Sequence, residues 1–263
     1  MNLQLDQRIA LVTAASQGLG YATALQLSRE GALVAICSRD EAHITAAADA
    51  IHAETRRPVL GIRADVSKSA DIKRLVSRVI DEFGGMDILV ANAGGPPASV
   101  FANTTDTMWQ RAYELVTLST VRLVRESLPH LRQSSAPSVL TITSIAVKQP
   151  ITDLVLSTSL RMAVVGLTKT LALELGPERI RFNSILPGWT ETERIRDLLE
   201  IRARRHKWSV EQEAEHQAET TALGRMATPQ EFANVATFLV SPAASYLTGV
   251  MLPVDGGTYK GIY

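Results

Sequence analysis

The stretch Arg8-Ile9-Ala10-Leu11-Val12-Thr13-Ala14-Ala15-Ser16-Gln17-Gly18-Leu19-Gly20 decides how this chain is read. Its first half is a short aliphatic run, the pattern of a strand buried on both faces. Its second half is small, polar and glycine-bearing, and a helical pattern follows from about residue 19. Strand, glycine turn and helix in that order bring unpaired backbone N–H groups and the positive end of a helix dipole to one point, where a pyrophosphate can sit. Thr13, Ser16, Gln17, Gly18, Leu19 and Gly20 are the candidate contacts. Taken alone, the pattern is also that of a plain tight turn.

Outward from this turn, apolar runs recur at 9–13, 33–36, 59–63, 88–92, 139–143, 181–185 and 251–254. Helical patterns lie between them at 19–30, 40–53, 69–83, 106–131, 155–175 and 228–240. The alternation predicts an α/β fold, a single Rossmann-type domain over 1–263 built on a doubly wound parallel sheet. No repeat, low-complexity tract or linker interrupts it. Two segments break the rhythm: Gly94-Gly95-Pro96-Pro97 opens an irregular stretch to 105, and a charged insertion fills 187–224. Each follows a strand, so each belongs at the carboxyl edge of the sheet, where open α/β folds bind ligands.

Lys+Arg and Asp+Glu balance at 27 each. Zero net charge argues against nucleic acid or an anionic membrane as partner and leaves a small molecule. A chain of 263 residues buries enough surface to need no disulfide or metal staple, and no metal is expected. Its one cysteine, Cys37, fits a reducing compartment. Residues 1–7 lack the pattern of a signal peptide, and no apolar run approaches the ~20 residues of a membrane span. The expectation is a cytoplasmic protein.

More motifs appear in order. Asp65-Val66 follows the third strand and Ala91-Asn92-Ala93-Gly94 ends the fourth. Pro187-Gly188-Trp189-Thr190-Glu191-Thr192 follows the sixth. Gly224-Arg225-Met226 and Pro229 open the last helix, while Gly249 and Val254-Asp255-Gly256-Gly257 frame the last strand. At these residues, from Arg8 to Gly257, the chain resembles the short-chain dehydrogenase/reductase family, with bacterial 3-oxoacyl-carrier-protein reductases and sugar or alcohol dehydrogenases as look-alikes. The resemblance implies that Ala14 takes the place of the family's first glycine while Gly18 and Gly20 are kept. It implies that Asp65 and Val66 meet the adenine, and that Asn92, Ala93 and Gly94 lie beside the adenosine ribose and nicotinamide. Pro187, Gly188, Thr190 and Thr192 fall in the segment that holds the carboxamide.

Cofactor choice turns on the end of the second strand, Cys37-Ser38-Arg39-Asp40. An acidic residue there holds a plain ribose, whereas a basic one accepts a 2′-phosphate. Ser38 can donate a hydrogen bond, and Arg39 can give two parallel ones. NADP(H) is the expected cofactor and NAD the second choice. The plainer reading makes Arg39 a solvated loop residue and Asp40 a ribose acceptor or the N-cap of the next helix.

The family's catalytic set is Ser, Tyr and Lys, with an Asn behind them. Ser144 matches the serine. Anchored on Val164-Val165-Gly166-Leu167-Thr168-Lys169, the Tyr-x-x-x-Lys motif falls on Ser157-Thr158-Ser159-Leu160-Arg161, and the Asn position on Val116. Ser157 therefore replaces the phenol that gives or takes the proton, and it is a far weaker acid. Arg161 replaces the lysine; it stays protonated but can hydrogen-bond the nicotinamide ribose and face a developing oxyanion. Ser144 has a plainer reading as a strand-end hydroxyl. Lys148, in the loop after Ser144, is a candidate replacement acid or simply a solvated lysine.

The insertion at 189–224 reads as a substrate lid of two helices, about 193–206 and 210–220, the second opened by a capping box at Ser209-Val210-Glu211-Gln212. Its basic run (Arg202, Arg204, Arg205, His206, Lys207) and the glutamates after it can meet an acidic substrate or merely pair on a solvated surface. Trp189 and Trp208 are candidate pocket walls or ordinary packing. The helix at 155–175 is apolar nearly all round and needs cover beyond its sheet, which points to a homodimer or homotetramer. Three functions stay open: an NADP(H)-dependent oxidoreductase on a carbonyl or secondary alcohol with altered proton chemistry, a non-catalytic dinucleotide-binding sensor or partner subunit, and a lyase or isomerase on the same fold.

Overall fold

The computed structural model describes residues 1–262. Strands β1 (Ile9–Val12), β2 (Leu33–Ser38), β3 (Val59–Arg63), β4 (Ile88–Ala91), β5 (Ser138–Ile142), β6 (Arg181–Pro187) and β7 (Met251–Val254) form one parallel sheet in the order β3-β2-β1-β4-β5-β6-β7. Between them run α1 (Gly18–Arg29), α2 (Glu41–Thr55), α3 (Ser69–Phe83), α4 (Asp106–Tyr113), α5 (Ser119–Leu131), α6 (Val155–Glu174), α7 (Glu193–His206), α8 (Val210–Glu219) and α9 (Pro229–Val240).

The sheet separates two apolar cores, and strand periodicity assigns residues to them. On β1, Ala10 and Val12 join Leu27, Ile44, Ile51 and Phe232 from α1, α2 and α9. Leu11, between them in sequence, joins Ile72, Leu75 and Val79 of α3, Leu123 of α5 and Phe182 of β6. Burial on both faces is why the strands read as continuous apolar runs. Helix α3 packs by the spacing Ile72, Leu75, Val76, Val79. Helix α9 begins at a capping box between Thr228 and Glu231, with Pro229 in its first turn.

The strand order reverses between β1 and β4, so a crevice opens beyond their carboxyl ends. Thr13 closes its floor. Its buried hydroxyl donates to Asn92 O at 2.6 Å and accepts from Asn92 N at 2.9 Å. The Asn92 amide in turn donates to Ala14 O at 3.1 Å.

The expected helix at 106–131 is interrupted. A π turn over Glu114–Leu118 separates α4 from α5 and carries Val116. Such turns put one more residue into the helix and concentrate at functional sites. Here Thr117 Oγ1 donates to Leu160 O of α6 at 3.0 Å, and Ser119 Oγ takes up Leu115 O. The fifth strand ends at Ile142, so Ser144 is not a strand-end residue. It caps the 3-10 turn Ile145–Val147, its hydroxyl accepting from Ala146 N at 3.2 Å. Among the described residues no helix is long and apolar enough to cross a membrane.

Candidate functional site

A cavity of about 480 Å³ lies at the carboxyl edge of the sheet, over the point where strand order reverses. It is lined by Ser16, Gln17, Gly18 and Leu19 of the turn, Ser38 and Arg39 after β2, and Asp65 and Val66 after β3. Asn92, Ala93 and Gly94 after β4, Ser144, Ser157 and Arg161, and Pro187, Gly188, Thr190 and Thr192 after β6 complete the wall. Thr13 and Gly20, expected as contacts, lie outside the lining. Thr13 is buried beneath the turn, tied to Asn92 as described. Gly20 sits under Ala14, where an added Cβ would stand 2.6 Å from Ala14 O. Both shape the turn from below. Gly18 holds φ +61°, a left-handed conformation natural to glycine. Ala14 is also left-handed at φ 48°, so replacing the family's first glycine kept the backbone path at a cost of roughly 1 kcal/mol.

At the β2 end, Ser38 Oγ donates to Asp40 O at 2.9 Å. Asp40 accepts from His43 N at 2.9 Å and so caps α2. That hydrogen bond holds its carboxyl below the ordinary value. Arg39 is exposed and forms no ion pair among the described residues. Asp65 Oδ1 accepts from both the backbone and the hydroxyl of Ser67, which fixes the turn after β3.

At the other end, Arg161 projects from α6 across the tip of β5. Its Nε donates to Ser157 Oγ at 3.2 Å, one helical turn back, and its Nη1 to Ile142 O at 2.8 Å. The side chain is only 9% exposed. Burial, with the charge of Arg194 adding to it, pushes its pKa down to about 10. Val116, at the family's Asn position, is a buried apolar residue on the π turn. The lining contains no Tyr, Lys, His or Cys. Lys148 lies outside it, its ammonium 5.0 Å from the ring centre of Tyr259, so its loop does not bring it to the cavity.

Helix α7 covers the cavity. Thr192 caps it, accepting from Ile195 N at 3.3 Å, and its first turns add Glu193, Arg194, Ile195, Asp197 and Leu198 to the wall. Arg194 reaches across to Pro96 O at 2.7 Å, and Arg205 pairs with Asp153 ahead of α6, so the helix is clasped at both ends. Trp189 lines the cavity beneath Arg202, 5.1 Å away. Trp208 does not; it packs between His206 and His216 on the outside. The capping box of α8 forms with both of its hydrogen bonds. Of the basic run, His206 ties α7 to α8 through the buried Glu213 at 2.8 Å, Arg204 pairs with Glu200 within α7, and Arg205 reaches Asp153. Arg194 is the residue that sequence reasoning missed. Its signal was a cation in the first turn of a helix, against the dipole.

A family model described as "Enoyl-(Acyl carrier protein) reductase" matches residues 13–259. Human "Dehydrogenase/reductase SDR family member 4" is 32% identical over 255 residues, 97% of this chain and 88% of that protein. "Tropinone reductase-like 3" of Erythroxylum coca is 32% identical, over 97% of this chain and 94% of that one. The crystal structure of L-sorbose reductase from Gluconobacter frateurii complexed with NADPH and L-sorbose superposes with a TM-score of 0.95 at 29% identity and covers all of both chains.

The Asp40 cap carries a pH signature. Its folded carboxyl lies below the ordinary 3.8, so its contribution is complete above that value and fades as pH falls through the lowered one. Asp40→Ala should lower the urea midpoint near neutral pH, and the gap from wild type should narrow as pH falls below the ordinary 3.8 and through the lowered value. Asp40→Asn, an equally good cap without the charge, should stay close to wild type near neutral pH. A gap that does not change with pH would contradict the assignment.

Proposed function

Given that the chain belongs to the short-chain dehydrogenase/reductase family, we propose that it is an NADP(H)-dependent oxidoreductase acting on a carbonyl or secondary alcohol, with altered proton-transfer chemistry. The observation that carries the reading is the division of labour after β2. Asp40 is committed to capping α2 and leaves Arg39 as the free charged group at the cavity rim. A carboxylate already accepting from a helix N-terminus is poorly placed to hold a plain ribose, whereas an unpaired guanidinium suits a 2′-phosphate. The likeness to a reductase complexed with NADPH supports the same choice.

In this reading the turn Ser16–Leu19 and the start of α1 hold the pyrophosphate, while Asp65 and Val66 flank the adenine. Thr190 and Thr192 hold the carboxamide end. The bound cofactor supplies or accepts the hydride. The protein's own part is to exclude water beneath α7 and to stabilise charge on the substrate oxygen. Ser144 can steady that oxygen. Arg161 can face it with a fixed positive charge, as an electrostatic device rather than a proton shuttle. What the cavity wall lacks is the family's usual proton donor, since it holds no Tyr, Lys or His. The same lack supports the second reading, a dinucleotide-binding sensor or partner subunit. The segment 189–224 acts as a lid in both. A cytoplasmic location belongs to the proposal, supported by the single, buried and unpaired Cys37.

Assembly follows from α6. Its outer face leaves Met162 48% and Leu173 71% exposed, with Gly166 between them. Exposed apolar side chains on the outer face of a helix whose other face packs on the sheet fit a homodimer, or a tetramer built from it. Sedimentation at micromolar concentration should show no monomer for the wild type, and the pair Met162→Glu with Leu173→Glu should release one. A monomeric wild type would overturn this.

Two outcomes test the chemistry. NADPH should bind at least about tenfold tighter than NADH, and Arg39→Ala should abolish the difference. Equal affinities would sink the cofactor choice. Simple ketones should turn over poorly although NADPH binds, because a general acid contributes ~10²–10⁴-fold. The double change Ser157→Tyr with Arg161→Lys, with Val116→Asn added in a third variant, should raise turnover. Brisk wild-type reduction of such ketones would refute the altered-acid argument.

A further inference from the structure

We infer that the inner end of the cavity is a subsite for an anion, a carboxylate carried by the substrate, held between Arg161 and Arg194. The inference rests on the cofactor-cleft reading above and names the class of substrate that cleft takes.

Arg161 is more than nine-tenths buried, yet no carboxylate pairs with it among the described residues. Its Nε and Nη1 are spent on the Ser157 hydroxyl and the Ile142 carbonyl, and Nη2 has no acceptor among the described residues. A buried charge costs several kcal/mol unless it is paired, so proteins seldom leave one single. Arg194, from the first turn of α7, lines the same cavity and is near enough for its charge to act on Arg161. It lies against Gly95, where an added Cβ would stand 3.1 Å from its Nε, and one Nη2 is fixed on Pro96 O. Its Nη1 has no acceptor among the described residues.

Neither guanidinium relieves the other. The charge of Arg194 adds to the burial that disfavours the Arg161 cation, and Arg194 is itself half-buried in the first turn of α7, where a cation is disfavoured. The acids nearby do not cancel them. Glu193 and Asp197 are exposed, and although Asp197 favours the Arg194 cation, the two form no ion pair. Two inward cations without a protein anion are what a bidentate carboxylate satisfies. Leu115, Ile151 and Leu154 line the same cavity and suit the carbon body of such a ligand. The substrate class is therefore a small oxo acid or hydroxy acid with an apolar chain. The rival source of negative charge is the cofactor's pyrophosphate. Thr192, two residues before Arg194, lies over the glycine turn, 3.6 Å from an added Gly18 Cβ.

The test uses pyruvate and levulinate, each beside its neutral amide. They are titrated by tryptophan fluorescence into the cofactor-free and the NADPH-loaded chain, with NADPH affinity measured separately. Each acid should bind at least about tenfold tighter than its amide. Arg194→Leu should reduce that preference below about threefold while changing NADPH affinity by less than about threefold. No preference, or no binding of either acid up to about 10 mM, would overturn the subsite. So would a preference that survives Arg194→Leu. Loss of NADPH affinity in that variant with the preference intact would assign Arg194 to the pyrophosphate and equally overturn it. Failure of NADPH to bind the wild type would count against the functional reading alone, because the acids are also tested on the cofactor-free chain.

Discussion

The hydroxyl of Thr13 ties the end of β1 to the end of β4, giving a hydrogen bond to the Asn92 carbonyl and taking one from the Asn92 amide. The two strands lie side by side where the strand order reverses, so this link fixes the mouth of the crevice. Asn92 passes the constraint on by donating to Ala14 O, which anchors the glycine turn and hence the start of α1. Apart from Arg161 on α6, the groups proposed to meet the dinucleotide hang from these two strand ends or from those of β2, β3 and β6. A buried exchange of hydrogen bonds between non-adjacent stretches of chain is worth a few kcal/mol at most. Its larger consequence is geometric, because it sets where helix and loop backbones present their free N–H groups.

Much of this was legible in the sequence because the physics behind it is local and periodic. Continuous apolar runs marked the strands, as burial on both faces requires, and a helical pattern at 69–83 marked α3, whose buried residues Ile72, Leu75, Val76 and Val79 recur at i, i+3, i+4 and i+7. Capping residues placed α8 and α9 to within a residue. What failed depended on contacts between distant segments. The π turn at Val116 has no signature in its own residues; it accommodates the meeting with α6 through Thr117. Ser144 read as the end of a strand, but β5 stops at Ile142, where the carbonyl receives Arg161. Lys148 looked close to the substrate because its loop does, yet its side chain turns to Tyr259. Arg194 was lost in a charged insertion, where its position in a helix's first turn was the one readable irregularity.

The site is organised by charge rather than by acidity. In the family pattern a lysine tunes a phenol that moves a proton. Here the pair Ser157 and Arg161 is a guanidinium hydrogen-bonded to a serine hydroxyl, in a cavity whose wall holds no Tyr, Lys or His. Such a pair can bind, orient and stabilise negative charge, but neither member exchanges protons readily near neutral pH. The π turn persists although Val116 cannot do what an asparagine does there. The scaffold of the family is thus retained around the altered chemistry proposed here.

A crystal structure of the NADPH complex at saturating cofactor tests this account most directly. The account places the 2′-phosphate at Ser38 and Arg39, the pyrophosphate on the Ser16–Leu19 turn, and the nicotinamide ribose within reach of Arg161. It also leaves Ser144 and Ser157 as the only side-chain hydroxyls facing the hydride-bearing carbon, with no Tyr, Lys or His beside them. A complex in which Lys148 or another titratable side chain has swung to that carbon, or in which the 2′-phosphate lies away from Arg39, would contradict it.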